Sequence, residues 1–546
     1  MDTNKLMKIE DVASQIGISK DKIEPYGDYM AKVNFMKLNK KQVQGKLVLV
    51  TAMTPTKYGE GKTTTVIGIS QALHKMGQKV SISIREPSMG PCFGVKGGAT
   101  GGGEATVEPS DRINLLFTGD FPAITAAHNL LSALINNHIF HGNQLKINPE
   151  KIVFPRTIDM NDRSLRNIIV GVSQGEGGIL ARDSFVIITP ASEIMAIVGL
   201  SDSYSDLKRR LARILVGYTF DNKPVYSGDL KAHGAMAAIL VDALKPNLVQ
   251  AKGGVPAFIH TGPFGNIAHG TSSLIAARTA LATSDIVLTE AGFGSDLGAE
   301  KFMNLVSRVG NIPISAVVIV ATIRAMKLHG GNDRHDVEDV NALKNGFNNL
   351  MFHVKNMRNF GFEPLVALNR FPDDTENEIS EVETLLRNNS ISYGLSEVYE
   401  KGADGGKAIA ELLMKTIPAK PISVKYTYSM DQILTEKIES IGKKIYGAKE
   451  VIYTRAAQSN IKKIERLGYG KLPICMAKTQ YSISDDPLKP NAPEDFSITV
   501  TSVALSSGAE FVVVYLGSVM TMPGLPKEPA SDGIDITENG IITGLL

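Results

Sequence analysis

Residues 46–65, KLVLVTAMTPTKYGEGKTTT, constrain the fold more than any other stretch of the chain. Leu47 to Val50 is an aliphatic and β-branched run too short for a helix, so it reads as a buried strand. Gly59 and Gly61 permit the backbone of a tight turn, and KTTT opens a helix behind them. A strand that turns through glycines into a helix aims backbone N–H groups and a positive helix end at one point, which is a cradle for phosphate. The spacing follows the P-loop pattern G-x-x-x-x-G-K-[ST], with Thr56 in place of the first glycine. In this reading Thr54, Pro55, Thr56, Lys57, Tyr58, Gly59, Glu60, Gly61, Lys62, Thr63 and Thr64 surround ATP. Lys62 reaches the β- and γ-phosphates, and the Thr63 hydroxyl is a magnesium ligand. The bland alternative is a strand-turn-helix corner carrying a surface lysine; the strand before and the helix after favour nucleotide.

The neighbouring segments supply charge. Lys79 to Ile84 reads as a second strand that delivers Arg85 and Glu86 at its carboxyl end, where α/β sheets place ligands. Gly90 to Ala105 is too glycine-rich for an element interior and reads as a loop able to close over phosphate or substrate. Ile113 to Phe117 is expected to be a third strand, with Asp120 just beyond it as a holder of magnesium. Pro122 to Phe140 reads as a helix, and His138 and His141 near its end lack further ligands in sequence.

From Phe185 onward, runs such as FVIIT, AFIH, DIVLTEAG, ISAVVIVAT and PLVALNRF alternate with helical stretches, 203–216 and 271–282 among them. That is βα patterning and predicts a mostly parallel sheet. The last third differs: 497–518 reads as an antiparallel hairpin about Ser507-Gly508. The expected architecture is therefore an α/β, P-loop-containing multi-domain protein with mostly parallel sheets and a smaller C-terminal α+β domain. Its expected divisions are a nucleotide-binding domain over 1–285, a second α/β domain over 286–415 and the C-terminal domain over 416–546.

The chain has 546 residues, too many for one ordinary core. Hydrophobic residues at 43% and charged residues at 21% give the balance of a soluble globular protein. A net charge of +2 makes no electrostatic case for nucleic acid. The N-terminus is polar, with no apolar core of a signal peptide, and the longest dense apolar run, 314–321, is too short to span a bilayer. Cytoplasm is the expected compartment, in keeping with only two cysteines, Cys92 and Cys475.

Two motifs compete. Gly171-Val-Ser173-Gln-Gly175 matches the serine-hydrolase elbow, but the glycine-rich EGGILARD follows where a helix is required. Gly292-Phe-Gly294-Ser-Asp-Leu-Gly298 is spaced wrongly for a dinucleotide loop, and the next strand ends without an acid for a ribose, so it reads as a packing corner.

The segment T-P-T-x-x-G-E-G-K-T-T-T resembles the P-loop variant of the formate–tetrahydrofolate ligase family. REPSMGPCFGVKGG, RINLLFTGD, AITAAHNLL, DMNDRSLR, GPFGNIAHG, EAGFGSDLGAEKF, LNRFPDDTENE, AKTQYSISDDP and TMPGLP resemble the same family, in order along nearly the whole chain. The resemblance implies ligation of formate to tetrahydrofolate with ATP, through formyl phosphate, by a homotetramer activated by a monovalent cation such as K+ or NH4+.

It implies catalytic roles for Lys62, Arg85, Glu86 and Asp120. Arg85 would hold formate by its planar fork, and Asp120 would position magnesium or the folate amine. Arg85 or Glu86 could instead belong to a structural ion pair. Phe371, Pro372, Leu395 and Tyr399 match the family's pterin pocket, where aromatic stacking explains the residue types.

The chain departs from the family pattern at several positions. Tyr399 replaces a tryptophan, Leu116 and Pro122 replace histidines, and Ala251 to Val255 replaces a glutamate-containing stretch. These departures keep two rivals in view: a paralogue that passes an acyl phosphate to another acceptor, and a non-catalytic ATP-binding regulator.

Overall fold

The computed structural model describes residues 6–38, 45–96, 99–171, 182–517 and 519–545. A short helix α1 (Ile9–Gln15) precedes strands β1 (Ile23–Pro25) and β2 (Ala31–Val33). Strand β3 (Lys46–Ala52) passes through the glycine turn into α2 (Lys62–Lys75), and β4 (Val80–Ile84) follows. The pieces β5 (Gly101–Gly102) and β6 (Ala105–Glu108) pair as a hairpin ahead of the long helix α3 (Asp120–Phe140). Small sheets occupy part of the segment from Ile147 to Tyr226, and then β7 (Asn247–Ala251) and β8 (Val255–Ile259) form a second hairpin. Its turn needs positive φ at Gly253 and Gly254, 84° and 81°, which explains the paired glycines of AKGGV.

The chain continues through α4 (Leu274–Thr283), β9 (Ile286–Glu290), β10 (Ala316–Ala321), α5 (Ile323–His329), α6 (Val340–Asn359) and β11 (Leu365–Asn369). After it come β12 (Tyr393–Ser396), α7 (Val398–Lys401) and α8 (Ala403–Thr416). The main sheet has the order β1-β2-β7-β8-β4-β9-β3-β10-β11-β12, with β6 also paired to β7. Every neighbouring pair from β8 to β12 is parallel, as the βα patterning predicts, while β1, β2 and β7 form an antiparallel margin. Strand β9 lies between β4 and β3, so one sheet runs across residue 285, where a domain edge was expected.

Alternation along the strands sorts the core onto two faces. On β3, Leu47 and Leu49 face one cluster with Phe121, Ile124 and Leu131 of α3. Val48 and Val50 face the other, with Val66, Ile69 and Leu73 of α2 and Ile409 and Leu413 of α8. Helices α2 and α8 touch backbone to backbone: a Cβ on Gly406 would lie 2.7 Å from the Gly68 carbonyl oxygen. The C-terminal part builds its own sheet, ordered β13-β15-β16-β14, from β13 (Glu450–Tyr453), β14 (Ile474–Ala477), β15 (Ser497–Ser506) and β16 (Phe511–Leu516). Its β15–β16 pair is the antiparallel hairpin that the sequence announces.

One expected element is different. The run 113–117 is not a strand: Ser110–Asn114 is a short helix, and Phe117 turns the chain at φ 44°. Pro109, followed by Ser110 and Asp111, suits a helix start better than a strand, and that local preference prevails over the apolar run. Asp120 therefore enters at the first turn of α3 rather than at a strand end. The serine-elbow stretch beyond Gly171 lies outside the described residues. Cys92 and Cys475 are both buried free thiols. Among the described residues, no helix is long and apolar enough to cross a membrane.

Candidate active site

The loop between β3 and α2 is braced from within. Glu60 is buried; its carboxylate accepts the Thr56 N–H at 2.6 Å and the Thr322 hydroxyl. Thr56 also accepts the Tyr58 N–H at 3.2 Å, and its carbonyl accepts the Gly59 N–H at 3.2 Å. Lys57 and Tyr58 are thus left exposed at the tip, with the Lys57 ammonium 4.9 Å from the Tyr58 ring centroid. Thr54 and Pro55 are buried at the root. The Thr54 hydroxyl meets His353 at 2.9 Å and Asn349 at 3.0 Å, and its carbonyl meets His329 at 3.0 Å.

Gly61 then takes a left-handed φ of 73° and starts α2. A Cβ there would approach the Asn369 amide nitrogen to 2.6 Å, so glycine is required by space as well as by φ. Lys62, Thr63 and Thr64, half-buried, form the first turn of α2, whose N–H groups have no intrahelical partner and favour an anion.

Two parallel strands end beside this turn, and each delivers a functional group. Glu290 closes β9; its Oε2 accepts the Thr63 hydroxyl at 2.7 Å, and its Oε1 lies 3.5 Å from Nη2 of Arg85, just beyond β4. Nη1 of Arg85 reaches the Pro263 carbonyl at 3.4 Å, while its buried Nε has no hydrogen-bond partner. The guanidinium is therefore held by long contacts and partly exposed, a state suited to gripping a planar carboxylate. A Cβ on Gly292 would crowd both Arg85 Nη atoms at 3.3 and 3.4 Å, which makes EAGFG a fitted corner around the arginine. Glu290 is the site residue that sequence reasoning passed over. The signal was present, an acid as the last residue of DIVLTE, and the strand-end argument used for Asp120 applies to it directly.

Glu86 and Asp120 form a second group. Asp120 Oδ1 is 2.5 Å from the ammonium of Lys32, a fully buried lysine on β2, and Oδ2 accepts from Asn247 at 2.8 Å. Burial, and after it the nearby Asp120 charge, raise Glu86 well above the usual carboxylate range; Lys32 opposes this. The expected meeting of Asp120 with Thr63 around a metal is not made among the described contacts. Asp120 is engaged on both oxygens elsewhere, and the carboxylate beside Thr63 is that of Glu290. The Thr63 hydroxyl and the Glu290 carboxylate are hard oxygen donors of the kind a divalent cation takes together with phosphate oxygens.

The proposed folate residues gather at the ends of β11 and β12. Phe371 follows β11, Leu395 lies on β12 opposite Leu368, and Pro372 is exposed next to Phe371. Tyr399, on α7, is 60% exposed, enough to offer its ring to a ligand. Its ring rests on the glycine-rich loop: a Cβ on Gly102 would lie 2.8 Å from Cε2, and the Tyr399 carbonyl accepts the Glu104 N–H at 2.8 Å. At that point the loop's glycines serve an aromatic ring rather than phosphate. The Arg324 guanidinium lies 3.7 Å over the Phe371 ring and also donates to the Gly59 carbonyl, joining this group to the nucleotide turn. Leu116 and Pro122 are both exposed.

The profile of the formate–tetrahydrofolate ligase family matches residues 1–546. The chain is 60% identical over 540 residues to a formate–tetrahydrofolate ligase of Thermoplasma volcanium, covering 98% of this chain and 99% of that one. It is 51% identical over 539 residues to that of Picrophilus torridus, with 98% and 100% covered, and 48% identical over 541 residues to that of Caldicellulosiruptor saccharolyticus, with 98% and 97% covered. Similarity of this depth over nearly the whole length of the chain places it in the formate–tetrahydrofolate ligase family.

Proposed function

We propose that this chain joins formate to tetrahydrofolate at the expense of ATP, through formyl phosphate, giving 10-formyltetrahydrofolate, ADP and phosphate. The observation that carries the reading is the chain of contacts from Thr63 through Glu290 to Arg85, which sets a phosphate-binding turn beside a carboxylate-binding arginine. Formate has no good leaving group, so its oxygen must first take the γ-phosphoryl group, and two anions must approach one another. In this reading the first turn of α2 and Lys62 hold the phosphates, while Arg85 holds formate and offsets the repulsion. Magnesium, where bound by Thr63 and Glu290, would neutralise part of the phosphate charge. The folate amine then attacks the formyl carbon and phosphate leaves; the Glu86–Asp120 pair is the acid-base group for that step. Phe371, Pro372, Leu395 and Tyr399 bind the pterin.

A homotetramer is supported by the apolar side chains left exposed at Val153, Ile158, Ile169 and Phe185, between 40% and 62% accessible. A cytoplasmic setting is supported by the two free thiols. The activating monovalent cation follows from the resemblance alone and has no residues assigned to it. The test is formate- and tetrahydrofolate-dependent appearance of the formylated folate, with Lys62→Ala expected to lower the rate by at least about two orders of magnitude. ADP release independent of formate, or nucleotide binding without turnover, would refute the reading.

A further inference from the structure

The root of the nucleotide turn is tied to the C-terminal part of the chain. Thr54 is fully buried and lies just beyond the end of β3, where the sheet no longer supplies hydrogen-bond partners. Helices α5 and α6 supply them instead. The Thr54 N–H donates to Asn349 Oδ1 at 3.2 Å, its hydroxyl accepts from Asn349 Nδ2 at 3.0 Å, and its carbonyl meets His329 Nε2 at 3.0 Å. The same two side chains hold Asn491, in the loop between β14 and β15. Its N–H donates to His329 Nδ1 at 3.0 Å, and its carbonyl accepts from Asn349 Nδ2 at 2.7 Å. We infer that this loop positions the nucleotide turn, through Asn491 acting on His329 and Asn349, and so sets nucleotide affinity from outside the nucleotide pocket. The inference rests on the proposed reading of residues 54–64 as the ATP site and deepens it.

The main-chain groups fix the direction of these bonds. Because Nδ1 of His329 accepts an N–H, its ring proton is on Nε2 and goes to the Thr54 carbonyl; burial lowers the His329 pKa and keeps the ring in that neutral form. Because Asn349 Oδ1 accepts the Thr54 N–H, its amide nitrogen faces both the Thr54 hydroxyl and the Asn491 carbonyl. Asn491 can offer both main-chain groups to the helices because it sits at a left-handed φ of 65°, which asparagine tolerates. The other end of the loop is fixed to the same layer. Lys478, buried just after β14, contacts Asp296 at 2.7 Å, and the adjacent Ser295 hydroxyl meets His353 Nδ1 at 2.7 Å. His353 in turn meets the Thr54 hydroxyl through Nε2 at 2.9 Å. Thr54 leads directly into the phosphate-binding turn, so a displaced root misaims the groups that hold phosphate. Linkage makes the effect mutual: a docked loop that favours nucleotide must itself be held more firmly when nucleotide is bound.

The first measurement uses the natural protein. Hydrogen exchange in peptides covering 486–492 should slow at least about fivefold on adding saturating magnesium and a non-hydrolysable ATP analogue, the low end of the usual coupling between sites. The second uses two variants and calorimetry. Asn491→Pro removes the N–H and forces φ to about −65°, so the Kd of the magnesium–analogue complex should rise at least about fivefold. Asn491→Gly keeps both main-chain groups at positive φ and should bind within about twofold of the natural protein. In Asn491→Pro the formate and folate KM at saturating ATP should move less than about twofold, a split that a general loss of stability would not produce. A folded Asn491→Pro variant with the natural Kd overturns the proposal. So does exchange at 486–492 that nucleotide leaves unchanged, a result read without any variant and therefore decisive even where Asn491→Pro does not fold. Coupled nucleotide binding without formylated folate would overturn the ligase reading and leave this inference standing, whereas absence of nucleotide binding overturns both.

Discussion

Removing the ammonium of Lys32 tests whether the N-terminal arm is part of the site or merely packs beside it. Lys32 and Asp120 are 0% and 3% exposed as side chains and 2.5 Å apart. At an effective dielectric of about 20, their attraction is roughly 7 kcal/mol. Desolvation of both ions offsets most of that, so the net worth of the intact pair is small, while breaking it leaves a buried charge and costs about 3–5 kcal/mol. Lys32→Met fills the space and leaves Asp120 a buried charge beside Asn247 and Glu86; Asp120→Asn strands the lysine. The double variant removes both charges and should lie within about 2 kcal/mol of the natural protein, the residue being the unmet Lys245 carbonyl that Lys32 contacts at 3.1 Å. The cycle therefore predicts strong non-additivity. Native-state hydrogen exchange at residues 31–33 and 120–124 is the appropriate assay, because it reads the local opening energy in a chain this large. Single variants that cost less than about 0.5 kcal/mol, or a double variant equal to the sum of the singles, would refute the reasoning.

Arg85→Lys preserves charge and loses the fork, so turnover should fall at least about tenfold while nucleotide binding without formate is nearly unchanged; equal rates would make Arg85 structural. Tyr399→Ala should raise the folate KM about two- to twelvefold, the equivalent of roughly 0.5–1.5 kcal/mol of stacking, and Tyr399→Trp should hold or lower it; initial-rate kinetics at saturating ATP and formate decide. Glu193 is buried against the Gly508 and Ala509 N–H groups, and burial pushes it up to about 7 from an ordinary 4.5. A raised acid favours the protonated native state, so its contribution is fully present below the ordinary value and is lost as pH rises to about 7. Glu193→Gln should therefore be more stable than the natural protein at pH 8 by up to about 3 kcal/mol, with little difference at pH 4; a pH-independent difference in urea denaturation would contradict this.

The strand-turn-helix at 46–75 was legible because glycine at two fixed positions and an aliphatic run before them leave few conformations open. The parallel centre of the sheet was legible for a similar reason, since its strands are apolar on both faces. What sequence could not give was pairing. Nothing in the charged run 5–45 distinguishes Lys32 from the lysines around it, and only burial on β2 makes it a partner of Asp120. Arg324 reads as one more residue of a helix until its contacts with Gly59 and the Phe371 ring are seen. The error at 113–117 has a local cause, a helix start hidden beneath apolar residues, and it moved Asp120 from a helix end to a strand end. Glu290 was legible and missed, because the glycines after it drew the reading toward a dinucleotide loop.

The insertion of β9 between β3 and β4 bears on how the molecule is made. During synthesis β3 and β4 leave the ribosome early, yet the strand that joins them follows roughly 200 residues later, about 10–40 s at ordinary elongation rates. Until Ile286–Glu290 emerges, two aliphatic strands wait with unpaired edges and no neighbour of their own sheet between them. The nucleotide turn cannot gain its acidic neighbour before then, so a nascent chain shorter than about 290 residues would have no competent phosphate site. Holdase chaperones should engage such chains at residues 46–84, and expression of fragments ending before β9 should yield aggregates rather than a nucleotide-binding domain.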